Sequence, residues 1–311
     1  MSRILITGAN GQLGFELRRA LAPLGEVFAL NREQFDLADE AAMLATLDEL
    51  SPQIVVNPAA YTAVDRAESE CAQAHAINAH APGVLARWCA ANDALLIHYS
   101  TDYIFGGAGD RAWTEDDTPY PQSVYAHSKW LGEQAVRART GHHLILRTSW
   151  VYAAHGNNFL KTMLRLASER DSLSVVADQI GAPTSAALIA DVTAQLITHY
   201  RRPTHRFDYG TYHLAAQGET SWHGYACHTI AHARSLGYPL QLGPAAIRAI
   251  GTADYPLPAR RPANSRLDCS KLQRAFGLTL PPWQAGVEHV VERLFHSQQS
   301  ARASNTQHCP L

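Results

Sequence analysis

The stretch Arg3-Ile4-Leu5-Ile6-Thr7-Gly8-Ala9-Asn10-Gly11-Gln12-Leu13-Gly14 decides the fold of this chain. Its apolar run, 4–6, is typical of a short strand buried on both faces of a parallel sheet. Glycines follow at positions 8, 11 and 14, and the segment 15–21 predicts a helix. A strand, a glycine turn and a helix N-terminus form an anion site, because backbone N–H groups and the helix dipole favour a pyrophosphate. The spacing Gly-x-x-Gly-x-x-Gly is not the usual Gly-x-Gly-x-x-Gly, and a tight turn without a ligand is the alternative.

Three further apolar runs extend this pattern into a sheet. We expect strands at 27–30, 54–57 and 95–99, separated by helices at 41–50 and about 82–91. Repeated β-α units with short loops predict an α/β fold, a doubly wound parallel (Rossmann) sheet. Because the strand expected at 173–176 would resume the sheet, the smaller α/β substrate lobe should be discontinuous. The predicted dinucleotide-binding domain consists of 1–150 and about 171–215. The predicted substrate lobe consists of about 151–170 and 216–296. The polar tail, 297–311, is expected to be disordered.

Composition narrows the class of protein. The chain has 311 residues, enough for a large α/β unit with a satellite lobe, and its net charge of -2 gives no general attraction for nucleic acid or an acidic membrane. No apolar run reaches the length of a membrane helix, and the first residues enter a core strand. We therefore expect a cytoplasmic protein with no membrane or nucleic-acid partner. The five cysteines show no Cys-x-x-Cys, which indicates reduced thiols.

The sixteen histidines require metal binding to be considered. His228 and His232 lie four residues apart on a predicted helix and would share one face. A third ligand at a suitable spacing is missing, as is the glutamate of a zinc hydrolase motif. We interpret these histidines as surface residues and predict no metal site there.

The end of the second strand bears on cofactor choice. An acidic residue at this point would bind the ribose 2′-hydroxyl of NAD, but the sequence offers Asn31 and Arg32. A guanidinium can pair with a 2′-phosphate, which favours NADPH over NADH. Glu33 weakens this inference, and an exposed loop arginine is the alternative. Asp36 would lie near the adenine or cap the next helix.

Two segments carry the expected chemistry. The fourth strand ends in Ser100-Thr101-Asp102-Tyr103-Ile104-Phe105, at the same sheet edge as the glycine turn. Tyr125 and Lys129 lie four apart in a predicted helix and share one face. An ammonium beside a phenol should lower the phenol pKa from about 10 toward neutrality. With Thr101 as a hydrogen-bond donor to a carbonyl, this set predicts protonation of an alkoxide as a C=O group is reduced.

Together these segments resemble an extended short-chain dehydrogenase/reductase, and more particularly the dTDP-4-dehydrorhamnose reductase family. The resemblance runs from Ile4 to about Phe295. Its most specific pieces are Asp178-Gln179-Ile180-Gly181-Ala182-Pro183-Thr184 and Arg260-Arg261-Pro262-Ala263-Asn264-Ser265-Arg266-Leu267-Asp268. The segments 146–152 and 156–159 match the strand and loop that enter the family's substrate lobe.

The resemblance implies reduction of the 4-keto group of dTDP-4-dehydro-L-rhamnose to dTDP-L-rhamnose by NADPH, or by NADH, with Thr101, Tyr125 and Lys129 as the catalytic residues. It allows a homodimer. The expected cofactor-binding residues are Gly8, Asn10, Gly11, Gln12, Leu13, Gly14, Asn31, Arg32, Asp36, Leu37, Ala59, Ala60, Tyr61, Ser100, Tyr125 and Lys129. The expected substrate-binding residues are Thr101, Asp102, Tyr103, Tyr125, Trp150, Asn157, Asn158, Gln179 and Arg261.

Other members of the superfamily are sugar dehydratases, nucleotide-sugar epimerases and regulatory proteins. Sugar dehydratases place Asp-Glu after the threonine, whereas this chain has Asp102-Tyr103 and so lacks the eliminating glutamate. A nucleotide-sugar epimerase stays open, and a non-catalytic regulatory relative is disfavoured by the intact Tyr125 and Lys129. Some relatives bind Mg²⁺ through a first-helix glutamate and an acidic pair. Glu16 is present, but Ala190-Asp191 offers one carboxylate, so we predict no metal.

Overall fold

The computed structural model describes residues 2–202, 207–243 and 245–306. In chain order, the strands of this part are β1 Ser2–Ile6, β2 Gly25–Ala29, β3 Ile54–Asn57, β4 Leu95–Thr101, β5 His143–Thr148, β6 Val151–Tyr152, β7 Leu173–Val176, β8 Ile180–Gly181, β9 Thr184–Ser185, β10 Gly210–His213, β11 Thr220–Ser221 and β12 Ile247–Ile250. The helices are α1 Gln12–Leu21, α2 Glu40–Leu50, α3 Val64–Ala67, α4 Cys71–His75, α5 Ala81–Ala91, α6 Val124–Arg137, α7 Phe159–Glu169, α8 Ala186–Tyr200, α9 Trp222–Ser235, α10 Ser270–Phe276 and α11 Trp283–Thr306, with a π-helical segment at Ala76–His80.

A six-stranded parallel sheet in the order β10-β5-β4-β3-β1-β2 carries the larger part of the molecule. The strand order reverses between β1 and β3, and ligands of open α/β sheets bind at the carboxyl end of such a switch point. The doubly wound α/β fold is therefore confirmed.

The sheet is buried on both faces, which explains its continuous apolar runs. Ile4 and Ile6 of β1 pack into the apolar cluster that contains residues of α1 and α8. Leu5 between them packs into the opposite cluster, with Met43 of α2 and Val84 of α5. Neighbouring side chains of a strand point to opposite faces, so each helical layer covers one set.

A smaller lobe is built from short sheets and aromatic side chains. It pairs β7 with β12, β8 with β11, and β6 with β9, and packs α7, α9 and α11 together. The assignment of 173–176 to the large sheet is wrong, because β7 pairs with β12. Ser174 is exposed between buried Leu173 and Val175, a pattern of a half-buried strand that a central strand would not show. The remaining lobe boundaries stay predictions.

The C-terminal helix corrects a second expectation. Helix α11 continues to Thr306, so the prediction of a disordered segment is wrong for 297–306. The segment lacks glycine and proline, and extending a formed helix is far easier than starting one. The rest of the predicted tail, 307–311, lies outside the described residues. Across the described ranges, every helix is too short or too polar to cross a bilayer.

Candidate active site

The glycine turn has the geometry of a phosphate cradle. Gly8 has a φ of 58°, and a Cβ there would lie 2.9 Å from the Ala59 Cβ, while a Cβ on Gly14 would overlap the Gly8 carbonyl. Helix α1 starts at Gly11 without a side-chain cap and without an acidic residue in its first turn. Its first N–H groups are therefore free to bind an anion, so the residues fit a pyrophosphate.

The turn is also held from the substrate lobe. His155 Nε2 lies 2.9 Å from the Asn10 carbonyl oxygen, and Asn158 donates to Gln12 Oε1 over 2.9 Å. Leu13, also predicted to bind cofactor, is 9% exposed and packs in the core. Asn10 and Gln12 thus lie where the two parts of the molecule meet.

The segment after β2 leaves its arginine accessible. The Asn31 side chain accepts from the Glu33 N–H over 2.9 Å, which shapes the turn. The Arg32 side chain is 68% exposed and 4.0 Å from Asp36, so it is weakly paired. Leu37 packs in the core beneath this turn at 6% exposure. Arg32 is thus free to meet an added phosphate.

The loop after β3 is fixed between the sheet and the π segment. The Ala59 N–H donates to Thr7 Oγ1 over 3.3 Å. The Tyr61 N–H donates to Asn78 Oδ1 over 2.8 Å, and Asn78 lies in Ala76–His80. The Tyr61 hydroxyl bonds to Glu70. Ala59 and Ala60 therefore present a small-residue backbone beside the glycine turn.

Helix α6 places the predicted catalytic pair. Ser123 caps it by accepting from the Ala126 N–H over 3.2 Å, and Tyr125 and Lys129 follow one turn apart. Lys129 is 3% exposed, donates to the Tyr99 carbonyl over 2.7 Å and lies 3.4 Å from His98 Nε2. Burial lowers the pKa of Lys129 to about 8.

The electrostatics of Tyr125 differ from the prediction. Burial raises the pKa of Tyr125 to about 12, although a hydrogen bond with Thr101 acts in the opposite direction. The expected lowering of this pKa by Lys129 is wrong, because the phenol is buried and the amine is directed to Tyr99 and His98. The phenol consequently stays protonated at neutral pH and is suited to donate a proton.

The end of β4 carries polar atoms without partners. Ser100, Thr101 and Asp102 are each at most 6% exposed. Thr101 donates to Asp102 Oδ1 over 3.1 Å, but Asp102 Oδ2 and Ser100 Oγ lack hydrogen-bond partners among the described residues. Burial raises the pKa of Asp102 to about 7. Buried polar atoms without partners are rare, and here they suit a polar ligand.

A cleft of about 1200 Å³ opens beside this strand end. It is lined by three of the predicted substrate residues, Tyr103, Gln179 and Arg261. The Tyr103 ring packs edge-on against Tyr125 with centroids 5.8 Å apart, which connects the cleft to the catalytic helix. Arg261 pairs with Asp65 over 2.8 Å, so this guanidinium is already oriented.

Trp150 forms a second connection to the cleft. Its backbone has a φ of 47°, a strained value for a tryptophan, and its ring stacks on Trp222 with centroids 3.7 Å apart. Trp222 lines the cleft and donates to Gln179 Oε1 over 3.1 Å. Sequence reasoning missed Trp222 and Asp65, because neither lies in a motif that carries chemistry.

Two predicted substrate residues are placed elsewhere. Asn157 is exposed, and Asn158 caps α7 by accepting from the Lys161 N–H over 3.1 Å. Neither residue lines the cleft. Their direct contact with a nucleotide sugar stays a prediction without support from this geometry.

The positions considered for metal are occupied by ion pairs. Glu16 is 3% exposed and lies 3.4 Å from Arg19 and 3.5 Å from Arg293. Arg19 also pairs with Asp191 over 2.8 Å. Within the described ranges, His, Cys, Asp and Glu side chains form no group of three suited to a metal.

The histidine pair of α9 lies against α11. His228 is 3.1 Å from Glu288, and His232 is 3.4 Å from Glu292. Their side chains are 29% and 20% exposed, so these histidines lie partly buried at the surface, between α9 and α11. The sequence could not show that Glu288 and Glu292 of α11 lie against these two histidines.

Comparison with known proteins agrees with these features. Residues 1–296 match the family described as RmlD substrate binding domain. The chain is 48% identical over 299 residues to dTDP-4-dehydrorhamnose reductase of Escherichia coli (strain K12), covering 94% of this chain and 98% of that protein. It is 47% identical over 294 residues to the Burkholderia thailandensis protein of the same name, covering 94% and 99%.

Solved structures show the same likeness. The structure of dTDP-4-dehydrorhamnose reductase from Bacillus anthracis in complex with NADP superposes with a TM-score of 0.86 at 34% identity, covering 94% of this chain and 99% of that one. A Thermus thermophilus UDP-glucose 4-epimerase in complex with NAD shares the fold, with a TM-score of 0.73 at 20% identity over 94% of this chain and 98% of that one.

Proposed function

This chain belongs to the dTDP-4-dehydrorhamnose reductase family, and we propose that it reduces the 4-keto group of dTDP-4-dehydro-L-rhamnose with NADPH, giving dTDP-L-rhamnose. The observation that carries the proposal is the position of Tyr125 on α6, where burial keeps its phenol protonated and its ring packs against Tyr103 of the cleft. The sequence identity of 47–48% to dTDP-4-dehydrorhamnose reductases, over nearly their whole length, supports a reductase rather than an epimerase.

The glycine turn and the segment after β2 fit the two phosphate positions of the cofactor. When bound, NADPH supplies the hydride. We assign the pyrophosphate to Gly8, Gly11 and Gly14 with the N-terminus of α1, because this helix end has no side-chain cap. We assign the 2′-phosphate to Arg32, because its guanidinium is exposed. NADH is the alternative cofactor, lacking the group that Arg32 would pair with.

Tyr125 supplies the proton in the proposed reaction. The O–H bond of the phenol breaks as its proton passes to the sugar oxygen that becomes O4 of the product. A phenol with a pKa of about 12 is protonated at neutral pH and is still a much stronger acid than an alcohol. In this proposal the Thr101 hydroxyl turns from Asp102 Oδ1 to donate a hydrogen bond to the same oxygen, which stabilises the charge that develops on it.

The cleft accommodates the nucleotide sugar in this proposal. Gln179 and Arg261 line it and offer an amide and a guanidinium, the donors that suit a diphosphate. The Trp150–Trp222 stack provides an apolar wall for the sugar. A homodimer and a cytoplasmic location stay predictions.

The proposal is tested by following NADPH absorbance with a panel of dTDP- and UDP-linked keto sugars. We expect oxidation of NADPH with dTDP-4-dehydro-L-rhamnose and formation of dTDP-L-rhamnose. Protein that carries NAD through purification and interconverts sugars without using added NADPH would contradict the reductase and indicate an epimerase.

A further inference from the structure

A row of buried polar side chains crosses the sheet below the active site. Thr7 follows β1, Asn57 ends β3, and His98 lies opposite Asn57 in β4. These three are at most 1% exposed, and the row ends at Lys129, which is 3% exposed. Polar groups in such a place destabilise a fold unless each has a partner, so the direction of every hydrogen bond matters.

Donor counting fixes those directions. The Ala59 N–H donates to Thr7 Oγ1 over 3.3 Å, and the Thr7 hydroxyl donates to Asn57 Oδ1 over 2.7 Å. The Asn57 amide nitrogen therefore faces His98 Nδ1, at 3.1 Å, and donates to it. With the amide reversed, the Thr7 hydroxyl hydrogen would have no acceptor among the described residues, which is unfavourable for a buried group.

His98 consequently carries its proton on Nε2. Burial holds the pKa of His98 well below its usual range, so the ring is neutral and has one N–H. That N–H faces Lys129 Nζ at 3.4 Å. An ammonium has no lone pair to accept it, whereas a neutral amine can accept from His98 and donate to the Tyr99 carbonyl, 2.7 Å away.

We propose that Thr7, Asn57 and His98 are positioning residues that favour the neutral amine form of Lys129 over its ammonium form. The proposal rests on the proposed function in one respect: Lys129 acts in that reaction. Among the described residues, the other titratable groups that act on this pair are Glu133 on α6 and His143 on β5, and Tyr125 lies one helical turn before Lys129. Of these, Glu133 favours the ammonium, and the row of hydrogen bonds opposes it.

The lysine content of the chain allows a direct test. Lys129, Lys161 and Lys271 are its lysines, so ¹³Cε-lysine labelling gives signals that Lys161→Arg and Lys271→Arg variants assign. The ligand-free protein is titrated by NMR. In His98→Gln, the amide can turn its oxygen to the amine and accept from an ammonium, so we expect the Lys129 pKa to rise by about one unit or more.

Thr7→Val provides a second variant of nearly unchanged shape. Without the Thr7 hydroxyl, the Asn57 amide can reverse and His98 can accept at Nε2, so the Lys129 pKa should rise here too. His142→Gln is the control, a histidine beside β5 that pairs with Asp93, and should leave the Lys129 titration unchanged.

An unchanged Lys129 pKa in both folded variants would overturn the proposal. So would a wild-type Lys129 that titrates at the ordinary value for lysine. The titration needs neither cofactor nor sugar, so a protein without reductase activity would contradict the proposed function and leave this measurement valid.

Discussion

Tyr125 is the residue on which the proposed chemistry depends. Tyr125→Phe removes the hydroxyl and keeps the ring, so we expect kcat to fall about 10²–10⁴-fold while NADPH binding changes little. Steady-state kinetics and NADPH fluorescence titration measure the two quantities. Tyr120→Phe, at an exposed tyrosine, is the control. Equal turnover in Tyr125→Phe would remove Tyr125 as the proton donor.

Arg32 decides the proposed preference for NADPH. Because its guanidinium is exposed and weakly paired with Asp36, it can gain a full ion pair with a 2′-phosphate. Arg32→Ala should raise the KM for NADPH about tenfold and leave the KM for NADH nearly unchanged. An unchanged ratio of the two KM values would show that another group reads the 2′-phosphate.

Asp102 makes stability depend on pH. Burial raises its pKa from 3.8 to about 7, so the folded protein keeps a proton that the unfolded chain releases. Its contribution to the free energy of unfolding is fully present below about pH 4 and is lost as the pH rises through about 7. The loss is ~4 kcal/mol at most.

Asp102→Asn cannot titrate, and this gives the measurement. Urea unfolding between pH 4 and 8 should show a smaller decline in the variant than in the unmodified protein. Asp110→Asn, at an exposed loop position, should keep the original slope. If the free energy of unfolding declined equally with pH in Asp102→Asn and in the unmodified protein, Asp102 would not be the group that keeps a proton on folding.

At the scale of elements, helix α6 is fixed to the sheet by a buried ion pair. Arg147 of β5 donates to Glu133 of α6 through Nε and Nη2, at 3.0 and 2.8 Å, and both side chains are at most 1% exposed. Arg137 adds a second contact to Glu133 over 2.9 Å. Because Glu133 lies one turn beyond Lys129, this pair also sets the position of the catalytic helix.

Arg147→Met should therefore be strongly destabilising. It leaves the Glu133 carboxylate buried with one partner, and removing half of a buried ion pair lowers the free energy of unfolding by about 3–5 kcal/mol. Arg165→Met breaks an exposed pair with Glu169 on α7 and should change it by less than about 1 kcal/mol. Urea unfolding of both variants makes the comparison, and similar losses would contradict this role of Arg147.

At the scale of the whole molecule, the 153–158 segment joins the lobe to the glycine turn. The His155 ring stacks on Phe15 with centroids 4.4 Å apart and contacts the Asn10 carbonyl. His155→Ala removes both contacts and leaves the Asn158 cap of α7 in place. We expect NADPH to bind about fivefold more weakly, a difference of ~1 kcal/mol.

A matched variant separates this effect from a general loss of packing. His142 also stacks on an aromatic ring, that of Tyr209 at 4.8 Å, but far along the chain from the glycine turn. His142→Ala should leave NADPH affinity unchanged in the same titration. Equal affinities for all three proteins would show that the lobe does not support the cofactor site.

The sequence by itself determined the sheet, the glycine turn and the catalytic helix. Each of these depends on a short-range pattern: a continuous apolar run for a strand covered on both faces, glycines where a Cβ would collide, and a four-residue spacing that puts Tyr125 and Lys129 on one face. Such patterns involve residues that are close in sequence, so they can be recognised without the tertiary structure. The segments that matched a family added the substrate.

Only the tertiary structure decided what each side chain faces. It paired Arg261 with Asp65, 196 residues away, stacked Trp222 on Trp150, and placed β7 beside β12. It also reversed the expected shift in the pKa of Tyr125, because the phenol is buried and the Lys129 side chain is directed to Tyr99 instead. Partners distant in sequence and the degree of burial depend on how the whole chain packs, and no local pattern encodes either.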